Sequence, residues 1–130
     1  MIYAHVRAHV ESHVPEIAGK LFPVSACIDS LSPPFAFYAY ADTDDACSLS
    51  GRRHHTVDTM MFSVVSPDYD EASRIYMAIK AALLSLRCTR IGDNKEYYVM
   101  SVTCAQTEDD GFDVDTGLVN RALQAQISWQ

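Results

Sequence analysis

The chain has 130 residues, 48% of them hydrophobic and 21% charged, with a formal net charge of −7 and a pI near 5.0. That length and make-up suit a single domain, residues 1–130, that buries its own core without metal or disulfide staples. An acidic balance excludes the basic footprint by which nucleic-acid binders displace counterions, and it disfavours anionic membranes.

Ile2, Val6, Val10 and Val14 recur every fourth residue and predict one stripe of a first helix. His5, Arg7, His9 and Glu11 interrupt any apolar run there, so no export signal is expected and the predicted location is cytoplasmic. No apolar run reaches the roughly 20 residues that span a bilayer. Pro15 breaks the helix, and a further short helical stretch carries Ile17 and Leu21 up to Phe22-Pro23. Ser32-Pro33-Pro34 leads into a first strand, Phe35 to Ala41. Asp42 to His55 is polar, contains Gly51, and reads as a mobile loop joining two antiparallel strands.

The second strand, Thr56 to Val65, puts Met60, Phe62 and Val64 on one face. Asp68 with Glu71 three residues on resembles a capping box at the start of a second helix. Its buried stripe is Ala72, Ile75, Ile79, Ala82, Leu83 and Leu86, with Arg74 and Lys80 toward solvent. After a turn at Gly92-Asp93-Asn94, a strand from Glu96 to Gln106 directs Tyr98, Met100, Val102 and Cys104 one way, Ser101 and Thr103 the other. The last strand, Leu118 to Trp129, follows an acidic loop and has Leu123, Ala125, Ile127 and Trp129 on one face. The predicted fold is α+β: a four-stranded, mainly antiparallel sheet in α-β-β-α-β-β order, with helices packed on one face.

Several residue sets invite a chemical reading. His5, His9 and His13 stack along one helix face, and an i, i+4 histidine pair can hold zinc. No cysteine or acidic partner stands at a fixed spacing, so a boundary face of the helix is the favoured reading and no metal is expected. Arg52, Arg53, His54 and His55 concentrate positive charge in the long loop, and read equally as solvated loop polarity or as an interface segment, for which arginine's planar head is favoured. Asp44 and Asp45, with Asp109 and Asp110 in the later loop, form acidic rims whose spacing does not build a calcium site. The four cysteines show no C-x-x-C pairing, and nothing resembles a nucleophile elbow, a P-loop or a dinucleotide motif. No catalytic residue and no cofactor is predicted. Ser101, Thr103, Asn120, Gln124, Gln126 and Ser128 make an outward sheet face that is polar yet uncharged, as a channel lining or a wet interface would be.

Four segments in this order carry a resemblance to the tail-completion (tail-terminator, head–tail joining) family of long-tailed phages and prophages. They are Leu21-Phe22-Pro23 after the first helix, Pro33-Pro34-Phe35-Ala36-Phe37-Tyr38, the run Met61 to Ala72, and Asp115-Thr116-Gly117 leading into Asn120 to Ile127. The resemblance implies a structural, non-enzymatic subunit of a hexameric ring. That ring caps the tail tube, binds the tail tube protein and a head-completion or connector protein, and lets DNA pass without specific binding. It would be made in the host cytoplasm and end in the virion neck. A head-closure or minor tail protein, or a small cytoplasmic metal- or ligand-binding domain, are the competing readings.

Overall fold

The structure, a computed structural model, describes residues 2–23, 33–47, 53–106, 111–113 and 117–130. Among these residues two α-helices, α1 (Ile2–His13) and α2 (Tyr69–Leu84), accompany seven strands. The strands are β1 (Leu21–Pro23), β2 (Phe35–Cys47), β3 (Arg53–Ser66), β4 (Thr89–Ile91), β5 (Tyr97–Gln106), β6 (Gly111–Asp113) and β7 (Leu118–Trp129). They form one mixed sheet in the order β1-β2-β3-β7-β5-β4, with β6 also paired to β7. The pair β1–β2 is parallel and the others are antiparallel. The last strand of the chain thus lies inside the sheet, between β3 and β5.

This overturns the four-stranded expectation, and the reason is length. Strands β1, β4 and β6 have three residues each, too few to show a period-2 pattern. The first was concealed further by a helical spacing between Ile17 and Leu21. In the structure Pro15–Ile17 is one 3-10 turn, Gly19 adopts a φ of +73°, and Leu21 opens a strand beside Ala36.

The predicted loop from Asp42 to His55 is also corrected. Strand β2 runs on to Cys47 and β3 starts at Arg53, so most of it is a hairpin ladder. Polar residues carry both strands past the register of β7, which stops at Thr56 opposite Trp129. Beyond that point the ladder continues as a two-stranded ribbon.

The core lies on the sheet face covered by α1 and α2. The α1 stripe Ile2, Val6, Val10 and Val14 is buried, as is the whole predicted α2 stripe. They meet Met60, Phe62, Val64, Val102, Leu123 and Ile127 from the sheet. Strict alternation fails in β5, where a register shift between Val99 and Ser101 makes Met100 a bulge. Val99 and Val102 are therefore the buried pair, and Met100 is exposed.

The start of α2 uses Asp68, whose side chain accepts from the Asp70 amide at 3.1 Å. Glu71 does not close the expected box. Ser66, fully buried, accepts from the Asp68 amide at 3.1 Å and donates to Glu71 Oε1 at 2.7 Å, so its hydroxyl relays the cap. At the far end, Arg87 donates from Nε and Nη2 to the Val102 carbonyl at 3.0 and 2.9 Å, covering the edge of β5 beyond β4.

Candidate assembly surfaces

The β2–β3 hairpin gathers most of the sequence-predicted interface residues. Asp44 stands opposite Val57, Asp45 opposite Thr56, His55 opposite Ala46 and Arg53 opposite Cys47, with His54 between them in β3. Arg52, Asp109 and Asp110 lie outside the described residues. Asp44 and Asp45 therefore stand where β3 is also paired to β7, His55 and Arg53 beyond it, and the acidic and basic segments occupy the two strands of one hairpin.

At the ribbon's base sits Asp58, which the sequence pattern did not single out. It is 3% exposed and is a hub for three neutral donors. Tyr40 donates to its Oδ1 at 2.8 Å, Thr43 to the same oxygen at 2.6 Å, and Trp129 Nε1 to Oδ2 at 2.7 Å. The register shift between Tyr40 and Asp42 brings Tyr40 and Thr43 to the same carboxylate. Trp129 is held in turn by an edge-on contact with Tyr97, ring centroids 5.1 Å apart. Both oxygens of Asp58 are engaged, so the arrangement is a clamp joining β2, β3 and β7. A signal was present in the sequence: Thr56 and Asp58 fall in phase with Met60, Phe62 and Val64, marking polar groups on the buried face.

The histidine stripe does not converge. His5 packs on Tyr97 with centroids 5.6 Å apart, while His9 and His13 stack on each other at 4.0 Å. His9 Nε2 lies 3.1 Å from the Ala82 carbonyl and 2.9 Å from Ser85 Oγ. Ser85 itself donates to that carbonyl at 2.6 Å, so the consistent assignment has His9 Nε2–H donating. Burial lowers the His9 pKa below its ordinary value, the neighbouring His13 lowers it too, and the Ala82 carbonyl opposes them. Among the described residues no group of three or more His, Cys, Asp or Glu side chains is arranged to hold a metal ion. Cys88 and Cys104 are free thiols, and burial raises the pKa of Cys104 against the pull of Lys80 and Arg87.

The sheet face away from the helices is the remaining surface. Ser101 stands opposite Ser128 and Thr103 opposite Gln126, which places the predicted uncharged residues side by side. Further along, Phe37, Ala39, Met61, Ser63, Asn120 and Ala122 line a groove of about 300 Å³. Ser63 donates to Asn120 within it. The central positions of β3 and β7 on this face, from Thr59 through Met61 and Ser63 to Ala122, Gln124 and Gln126, carry no charged side chain.

The whole fold has a counterpart among solved structures. The chain superposes on one in the virion of a native gene transfer agent particle with a TM-score of 0.61 at 12% identity, covering 97% of this chain and 92% of that one. At that identity the likeness shows the fold. No protein-family model matches the sequence, and no curated protein matches it. Among the described residues no helix is long and apolar enough to cross a membrane.

Proposed function

We propose that this chain is a virion structural protein of a phage-like particle, and within it a tail-terminator subunit. Copies would form a ring, hexameric in the resembling family, that caps the tail tube and joins it to the head. The observation that carries this reading is the near-complete overlap, from end to end of both chains, with a fold found in a gene transfer agent virion. The same order of segments that resembles tail-completion proteins supports the finer role, which is non-enzymatic.

The surfaces are compatible with it. A ring around passing DNA works best without gripping it, and a net charge of −7 opposes tight phosphate contacts. The end of the β2–β3 hairpin, with acidic residues on one strand and basic residues on the other, would be a polar element for tube and connector proteins.

Deleting the gene from its particle-producing host and imaging the products tests the role. A terminator's loss leaves overlong tubes and unjoined heads. Tubes of normal length beside unjoined heads would point to head closure instead, and intact joined particles would sink both.

A further inference from the structure

The chain is acidic, yet one stretch of it is not. From Lys80 to Gln106 it holds four cations, Lys80, Arg87, Arg90 and Lys95, against two acids, Asp93 and Glu96. Among the described residues none of the four cations makes an ion pair. Glu96 instead accepts from the Asn94 amide of its own turn at 2.9 Å. Arg90 lies over the Tyr98 ring at 5.5 Å, and Lys80 and Arg87 are near enough to Cys104 to oppose the rise in its pKa. Positive charge thus gathers along the β4–β5 edge of the sheet. The backbone of that edge is open as well. Strand β4 pairs with β5 from Tyr97 to Val99, and past Val99 no strand among the described residues pairs with β5 on the side away from β7. The Val102 carbonyl points to that side, where Arg87 reaches it. In an antiparallel strand the N–H and C=O of one residue share a side, and Cys104 and Gln106 follow at the strand's period of two. Their N–H and C=O groups therefore face outward too.

We propose that an extended acidic segment of another protein adds to this edge as a strand, pairing its backbone with Val102 to Gln106 beside Lys80, Arg87 and Arg90. Two independent observations select that occupant. Outward N–H and C=O groups along an open edge recognise a peptide backbone, which nucleic acid and lipid lack. Cations without acidic partners select the sign of its side chains and repel a strand that is basic. Arg87 exchanges the Val102 carbonyl for a carboxylate of the incoming strand, and the freed carbonyl accepts from that strand's backbone. The fold shows that so short an edge suffices, because β1, β4 and β6 have three residues each. It also shows the arrangement once already. Strands β5 and β6 follow one another along the same side of β7, as β4 and the added strand would along β5. This surface is independent of the ring role.

The probe is a fluorescein-labelled peptide alternating Glu with Val and Thr, titrated into the whole chain in reducing, low-salt buffer and followed by anisotropy. Its Lys counterpart and a double-stranded DNA oligonucleotide serve as comparisons. The Glu peptide is expected to bind and the other two are not. Amide exchange read by NMR should slow at Cys104 as the Glu peptide binds. Lys80→Glu should weaken binding about 10-fold, since an attraction becomes a repulsion. Arg74→Glu makes the same charge change on α2 at a cation already paired with Glu16 and Glu71, and should leave binding within about 2-fold. Far-UV circular dichroism checks that both variants fold. No binding of the Glu peptide at about 1 mM overturns the proposal, as does an equal loss in Arg74→Glu. Binding of DNA as tight as that of the peptide, or peptide binding that leaves Cys104 exchange unchanged, reduces the edge to a patch for anions and overturns it too. Slowing of the Cys104 amide with protein concentration alone would make a second copy the occupant in place of an acidic partner. The virion role stands or falls separately on the gene deletion.

Discussion

The two faces of strand β3 differ more than its neighbours in sequence suggest. Residues at even positions from Thr56 to Ser66 are buried under the helices, whereas those at odd positions from Val57 to Val65 are half-buried on the open side. Met60 and Phe62 disappear into the core while Met61 and Ser63, one bond away in the chain, line a groove. The same backbone hydrogen bonds serve both faces, so the contrast isolates side-chain burial. One face supplies the stability of the fold, and the other stays partly open to solvent.

The sharpest way to break that contrast is a pair of truncations at adjacent residues. Phe62→Ala removes a side chain that is 1% exposed and should cost about 3–5 kcal/mol in urea denaturation, by lost burial plus the cavity left behind. Met61→Ala should cost under about 1 kcal/mol, because solvent already reaches that side chain. Equal costs would mean that the groove face is core. A second test asks whether the buried face tolerates its one carboxylate because of its donors. Asp58→Ala leaves the Tyr40 and Thr43 hydroxyls and the Trp129 indole N–H without this acceptor and should cost about 2–3 kcal/mol. Trp129→Phe removes one donor and should cost about 1 kcal/mol from the hydrogen bond, with a red-shifted tryptophan emission in Asp58→Ala reporting the same loosening.

These two sites also show what the sequence carries and what it hides. The α1 and α2 stripes and the inward residues of β7 were legible because each repeats over several turns or several pairs, which local periodicity can register. The short strands were not, since three residues hold no period and their existence depends on partners remote in sequence. The ribbon escapes a reading of the sequence for a related reason. Polarity from Asp42 to His55 normally marks a loop, but here the backbone pairs as a ladder whose strands need no buried face of their own to show in the sequence. The bulges beside Tyr40 and at Met100 shift the phase by one residue, so a correct strand yielded an incorrect face for Tyr98 and Met100. The clamp at Asp58 needs β2, β3 and β7 together, and no single segment states it.

The helix layer offers two smaller tests. Ser66→Ala cuts the relay between the Asp68 amide and Glu71 and should lower stability by about 1 kcal/mol, with Ser66→Thr recovering part of it where the extra methyl fits. The smallest expected effect is a pH dependence where α1 meets the end of α2. His9 has a pKa below its ordinary value of 6.5 in the folded protein, mainly through burial and secondarily through the stacked His13 ring. The unfolded chain therefore binds the His9 proton first as pH falls. Between the lowered folded pKa and about 6.5 it holds more protons at this site than the native state does, and stability declines with acidification. Above that window both states are neutral at His9 and the contribution is flat. The Ala82 carbonyl at the C-terminal end of α2 would welcome a cation, yet its raising effect is the smallest of the three influences, so the net sign is set by desolvation. Denaturation midpoints at pH 7.5 and 5.5 should therefore fall less in His9→Gln than in wild type. The amide can still donate toward Ala82 and Ser85, which separates loss of the titrating group from loss of the contact. An undiminished pH slope in His9→Gln would place the acid sensitivity elsewhere and leave the helix–helix contact as packing alone.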